Sequence, residues 1–409
     1  MNKLLLLYCI LLGVLPASAQ PTGGNTEGDL KTADPSKKNM YSNNEILTND
    51  DWYHNKTHKK TVYDKTVKDL ILINNYDGVL ECYDLDFNKK WSFRPDDTLR
   101  LSNGRNQLYY KDGVVLTAYM TGYIYAIDVK TGELFWEGKI AMDKEKLHLS
   151  SQSLQPTDSL FYVTSRTNNN VYAINATTGE MEWNYNLSSP YGFMPALPIN
   201  ANVVVTTDPI MSVFNAKTGK LLASKNCYSN FSKMVSSGHN VIVSFDNEDK
   251  VIALNSTDLS TVWEYQLPKM QSHVSKKILT VQDKLYFSTN FGRDSSNFFG
   301  INSTNGELLW HLKVGNKVDY MTNIEQYIYG YSEDKIIFEL DIANQKYNSF
   351  KVQYQPVSNI LKQKDVLYYY AIDGLIKFDL NSNNESIVLP YLSPNGKQSR
   401  LDSQIYFIQ

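Results

Sequence analysis

The chain has 409 residues, 42% of them apolar and 20% charged, so a sizeable core is available and disorder does not fit most of the length. The 40 basic and 43 acidic residues leave a formal charge of −3, which argues against a nucleic-acid binder that works through a broad basic face. Tyr is frequent, at 29, and aromatic residues reach 12%, a composition that leans towards β structure.

The first predicted element is an export signal. Lys3 supplies a positive start, Leu4 to Leu15 is an apolar run broken only by Gly13, and Pro16 precedes the small residues Ala17-Ser18-Ala19. That order predicts a signal peptide over residues 1–19, cleaved near Ala19. The run is shorter than the ~20 residues a membrane span needs, and no later segment qualifies, so no transmembrane segment is expected. Cys9 lies inside the apolar run and no Cys follows the small residues, so lipid anchoring is not supported. The expected location is periplasmic or secreted, soluble after cleavage.

Residues 20–58 are polar and poor in aliphatics, with Gly23-Gly24, Pro35 and Lys37-Lys38, and are predicted to be a flexible leader. His54 and His58 stand four apart there, but Asn55-Lys56-Thr57 between them is poor helix material, so a solvated tail is expected rather than a metal site. Cys82 and Cys227 are the cysteines left after cleavage and are read as two separate buried hydrophobes.

From residue 59 onwards a repeat dominates. Tyr125-Ala126-Ile127-Asp128 leads through Thr131-Gly132-Glu133 to Trp136. The string recurs as Tyr172-Ala173-Ile174-Asn175 with Gly179 and Trp183, and as Phe299-Gly300-Ile301-Asn302 with Gly306 and Trp310. Weaker copies hold Asn215 with Gly219, and Asn255 with Trp263. Taking the Asp or Asn as anchor gives Asp86, Asp128, Asn175, Asn215, Asn255, Asn302, Asp341 and Asp379, with gaps of 42, 47, 40, 40, 47, 39 and 38. Ala223, Ser349 and Ile387 take the Trp position, and Leu259, Gln345 and Asn383 the Gly position.

That period, carried by alternating or short β-branched runs such as Val203-Val204-Val205, predicts an all-β, eight-bladed β-propeller of four-stranded antiparallel blades, with seven blades as the alternative. In each unit the anchor is expected to accept amides of the next turn, and the Gly to take positive φ there. The recurring Trp is expected to pack blade against blade. The segment Leu401–Ile408 resembles the strand that starts a unit, which predicts that it joins the first blade and closes the ring.

Tyr-Ala-Ile-Asp, then Thr-Gly-Glu, then Trp resembles the PQQ-like (pyrroloquinoline-quinone-type) propeller repeat, over about residues 60–409. The resemblance implies one of two activities, because the family holds quinone-using dehydrogenases alongside cofactor-free scaffolds. Eight units without long insertions look most similar to the non-enzymatic, BamB-like outer-membrane assembly factors. A quinone dehydrogenase of this family often carries adjacent cysteines, whereas Cys82 and Cys227 stand 145 positions apart. The six His show no HExxH spacing, and Asp246-Asn247-Glu248-Asp249 lacks EF-hand spacing and reads as a solvated turn.

The expectation is therefore a monomeric, non-enzymatic scaffold with no catalytic residue, cofactor or metal, which binds a protein or peptide through its loops. PQQ and Ca²⁺ belong to the alternative, an oxidoreductase; a glycan-binding propeller is a further alternative. Candidate partner-binding residues are Tyr119, Tyr191, Phe193, Tyr228, Phe231 and Tyr320, with Arg293 in the longest predicted tip, Asn290 to Asn297.

Overall fold

The computed structural model describes residues 56–408 except 75–78, 95–106, 120–121, 140–154, 158, 165–168, 188–194, 246–247, 269–273, 292–294 and 391–403. The predicted signal peptide and nearly all of the leader lie outside the described residues. All described residues belong to one compact unit, and there is no helix among them.

Eight antiparallel sheets form a propeller ring. Blade 2 shows the plan: Gln107–Lys111 is the innermost strand, Val114–Ala118 and Tyr123–Asp128 follow, and Leu134–Lys139 is outermost. Blades 3 to 8 repeat it, with innermost strands Gln155–Thr157, Leu197–Ile199, Phe231–Ser237, Val274–Val281, Tyr320–Ile324 and Leu361–Gln363. The second and third strands are the hydrophobic ones, as in Val114–Ala118, buried throughout, because blade packs on blade over both of their faces. Blade 1 takes its innermost strand from the other end of the chain. Gln404–Ile408 pairs antiparallel with Leu70–Asn74, which closes the ring as expected. Asn359 of blade 8 latches the closing strand: its Nδ2 donates to Ile405 O (2.7 Å) and its Oδ1 accepts Ile405 N–H (3.0 Å).

The eight anchors behave alike. Oδ1 of Asp128 accepts the amides of Lys130 and Thr131, and Asn175, Asn215, Asp341 and Asp379 make the same pair of bonds. Asn255 and Asn302 accept the amides of Thr257 and Thr304. In blade 1 the anchor is Asp84, two residues before the expected Asp86; it accepts the amides of Asp86 and Asn88 across a turn shortened by one residue. Gly132 takes φ +76 and its N–H donates to Asp128 O at 2.7 Å. The non-glycine equivalents Phe87, Leu259, Gln345 and Asn383 adopt the same left-handed backbone, with φ from 55 to 63.

The tryptophans join blades, and their geometry is specific. Each indole lies on the turn of the next blade and donates its N–H to the carbonyl just after that blade's anchor. The bonds are Trp91 to Val129 (2.8 Å), Trp136 to Ala176 (3.1 Å), Trp183 to Ala216 (3.0 Å) and Trp263 to Ser303 (2.9 Å). The ring rests where a side chain would stand: a Cβ on Gly132, Gly179, Gly219 or Gly306 would come within 2.6–2.8 Å of its atoms. The residue directly across the strand pair is small in each case, namely Cys82, Ala126, Ala173 and Ala253. Where Ala223 replaces Trp, its cross-strand neighbour is Val213 and the next blade's Gly becomes a buried Leu259. One large group is exchanged for two medium ones, which keeps the seam filled.

Trp310 departs from this pattern. The next blade offers Gln345, not Gly, and Trp310 lies on its own blade, where a Cβ on Gly300 would come within 2.7 Å of its ring. Tyr286 flanks it on the same line, 5.8 Å between centroids. The expectation of a blade-to-blade indole is corrected here.

Residues 56–64 form a strap, so the stretch read as leader ends within ordered structure. Lys56 and Thr57 pair with Glu137 and Trp136 at the outer edge of blade 2. Lys59 reaches Glu133 (2.6 Å) and Asp128 (3.6 Å), and Thr61 Oγ1 donates to Thr177 O of blade 3 at 2.6 Å. His58 lies 3.9 Å from Glu137. Cys82 is buried and Cys227 half-buried, and they are not bridged; burial pushes the Cys82 thiol up to about 12.

Trp263→Ala should cost ~3–5 kcal/mol, as large-to-small changes in packed sites do. Gly306→Ala should also destabilise the protein, but less in the Trp263→Ala background, and urea unfolding of the double-mutant cycle reads the coupling. Backbone amides of Asn88, Asn344 and Ser382 hold the carboxyls of Asp84, Asp341 and Asp379 below the ordinary range. A depressed folded pKa contributes stability above the unfolded value of ~3.9 and loses it as pH falls through the folded value. Changing all three to Asn keeps the acceptor, as blades 3 to 6 do, so stability at pH 7 should hold while the loss below about pH 4 becomes shallower.

Candidate functional site

The two ends of the blades are built differently. At one end the turns between innermost and second strands are two residues in every case, for example 112–113, 200–201 and 282–283, and the anchor turns are four or five residues. The opposite end carries the connections between blades, which run from 227–230 up to 140–154. It also carries the turns between second and third strands. An antiparallel meander puts all of these at one end, so the variable chain is gathered on a single face.

All seven partner-binding candidates belong to that end by chain position. Tyr191, Phe193 and Arg293 lie outside the described residues. The tip that holds Arg293 is shorter than expected, because strands Lys284–Phe291 and Ser295–Asn302 extend to it and leave only 292–294 between them. Tyr228 fits the expectation of an exposed anchor: it is 87% exposed, at φ 57, its N–H held by Asn226 Oδ1 at 2.9 Å. Tyr119 and Phe231 do not. Tyr119 is fully buried edge-to-face on Tyr125 at 5.5 Å, and burial pushes its phenol up. Phe231 is buried against Phe245 at 5.4 Å, and its N–H donates to Asp208 Oδ1. Both are core residues.

Tyr320 opens the innermost strand of blade 7 and is half-buried. It stacks on Tyr331 at 5.3 Å and 16°, and Lys277 of blade 6 places Nζ 5.0 Å from its ring centre. Burial pushes the Tyr320 phenol up to about 12, against hydrogen bonds from Thr322 and the Ile360 backbone. Tyr406, on the closing strand of blade 1, is near enough to act electrostatically on Tyr320 although blade 8 lies between them. Lys277, Tyr320 and Tyr406 come from innermost strands, so they gather towards the ring axis, and Tyr331 comes from the second strand of blade 7. Sequence reasoning missed Lys277 and Tyr406, which carry no local signal; their meeting is a product of ring closure. Among the described residues no group of His, Cys, Asp and Glu is arranged to hold a metal ion.

With this geometry established, the sequence can be set beside known proteins. The family described as "Outer membrane protein assembly factor BamB" matches residues 54–197 and 167–328. The chain belongs to this family. No curated protein matches it at a significant level. Among solved structures it is similar to BamB from Moraxella catarrhalis, with 15% identity and TM-score 0.57, covering 79% of this chain and 96% of that one. It is also similar to apo AztD from Citrobacter koseri, with 12% identity and TM-score 0.59, covering 83% and 98%. The dihydro-heme d1 dehydrogenase NirN, solved in complex with DHE, gives 13% identity and TM-score 0.64, covering 90% and 82%. At these identities the likeness establishes the fold alone, and the similar structures include one named a dehydrogenase.

Tyr228→Ala should leave stability within about 0.5 kcal/mol, whereas Phe231→Ala should cost ~3–5 kcal/mol. Thermal unfolding of the two variants separates the surface candidate from the core one.

Proposed function

We propose that this chain is an exported, non-enzymatic propeller that binds a protein or peptide partner through the face formed by its inter-blade connections. The observation that carries the reading is the contrast between the two ends: uniform short turns at one, and connections of widely differing length at the other. Uniform turns maintain a repeat, while variable ones are where specificity is placed on a rigid scaffold. Membership of the BamB family supports a role in protein interaction, and the signal-like residues 1–19 support export. No helix among the described residues is long and apolar enough to cross a membrane. Exposed Tyr228 supplies one aromatic anchor at the face.

The experiment is capture from envelope extracts of the host, with the mature chain as bait in three forms: unaltered, with residues 140–154 replaced by a short Gly/Ser linker, and with Lys217 and Lys220 of an anchor turn changed to Glu. Capture that is lost with the first change and kept with the second supports the reading. Capture that depends on the anchor turn instead, or that is absent throughout, overturns it. The enzyme alternative is tested on the same preparation: visible absorbance after incubation with PQQ and Ca²⁺, together with dye reduction by alcohols, would replace the scaffold with an oxidoreductase.

A further inference from the structure

Lys277 is placed unusually for a lysine. It sits in the innermost strand of blade 6, in the irregular stretch between the pairs Val274↔Thr289 and Ile278↔Phe287. Its only described contact is the face of Tyr320, 5.0 Å from Nζ to the ring centre, with Tyr331 stacked behind. Among the described residues it makes no ion pair and no hydrogen bond. Asp319, next in sequence to Tyr320, is held together with Glu333 by Lys317, at 3.4 and 3.5 Å. Burial alone pulls the Lys277 ammonium below its usual range, with no carboxylate acting against it.

A second lysine lies on the neighbouring innermost strand. Thr280 Oγ1 donates to Ser236 O at 3.0 Å, which sets the innermost strands of blades 5 and 6 side by side. Three residues back from that bond on each strand are Lys277 and Lys233. Lys233 Nζ is held by the carbonyl and hydroxyl of Ser232, at 2.9 and 3.1 Å. The innermost strands of blades 5 and 6 therefore each carry a lysine, and those of blades 7 and 1 carry Tyr320 and Tyr406, with Tyr331 stacked on Tyr320 from the second strand of blade 7. A cation withdrawn from water is costly unless an anion meets it, and a ring face recovers only part of that cost.

We propose that Lys277 and Tyr320, on the innermost strands of blades 6 and 7, form a binding site for a carboxylate-bearing ligand, whose charge pairs with Lys277 while its adjoining carbon skeleton lies on Tyr320. The carboxylate can come from an acidic peptide segment or from a small organic acid; Lys277 and Tyr320 recognise both in the same way. The site shares Tyr320 with the end proposed to bind a partner, but it stands whether or not that face captures a protein.

The test is residue-level protection. The full mature chain is treated with a trace amine-acylating reagent at pH 8, and the rate at Lys277 is read by peptide mass spectrometry. Three additions are compared: a capped tetraglutamate peptide, its tetraglutamine counterpart, and glutarate. Protection by tetraglutamate alone supports the site and assigns it to a peptide; protection by glutarate as well supports it and assigns it to a small acid. Binding of the protecting probe, followed by calorimetry, should weaken about tenfold or more in Lys277→Met, the loss of one charge-assisted pair, and recover partly in Lys277→Arg. An acylation rate at Lys277 unchanged by either carboxylate at millimolar concentration overturns the proposal, as does undiminished binding by a folded Lys277→Met protein.

Discussion

An indole seated on a backbone with no side chain is the contact from which the rest of the ring follows. Wedge-shaped sheets placed side by side leave a gap that widens outwards, and a tryptophan on the outermost strand is large enough to fill it. Its N–H must also find an acceptor once buried, and the carbonyl after the next blade's anchor supplies one. That carbonyl is aimed by the Asx turn, so the anchor, the glycine and the indole form one device shared between two blades. A ring built from such joints needs a further joint where the chain ends meet, and here Gln404–Ile408 and the Asn359 latch provide it.

The device is not used all the way round. Past blade 6 the seam changes chemistry: Phe298, Phe338 and Tyr347 pack together between blades 6 and 7, and Phe350 meets Phe378 edge-on between blades 7 and 8. Ser349 and Ile387 replace the tryptophans there, opposite the larger Phe338 and Ile376. Phenols buried in this sector find carboxylates, as Tyr329 does with Glu339 at 2.6 Å. Much of the chain's tyrosine content is placed here, and the axial group around Tyr320 is the inner margin of the same aromatic sector.

The repeat was legible because it is local. The anchor, the positive-φ residue and the Trp lie within nine residues of one another, and each has a backbone reason to be where it is. The relation between them was less visible, because the Trp of one unit answers the Gly of the next. With that offset, Ala223 goes with Leu259 and Ser349 with Asn383, and the apparently random divergence becomes paired replacement. Non-local burial was not legible. Tyr119 follows one strand and Phe231 opens another, where surface anchors are found, but Tyr125 and Phe245 pack on them. Asp84 is hidden behind Asp86 in the sequence pattern because the first turn is a residue short. Lys277 gave no sign at all, since its surroundings come from separate blades.

Rigidity at the seams and freedom at one face are two results of the same construction: turns that serve the interlock are constrained, while connections at the other end are not. The most direct test is hydrogen exchange at the indole N–H groups, followed by NMR and assigned with single Trp→Phe variants. The account predicts slow exchange for Trp91, Trp136, Trp183 and Trp263, whose indoles are bonded across a seam, and fast exchange for Trp310, whose indole is not. Exchange at Trp310 as slow as at the other four, or fast exchange at all five, would contradict it.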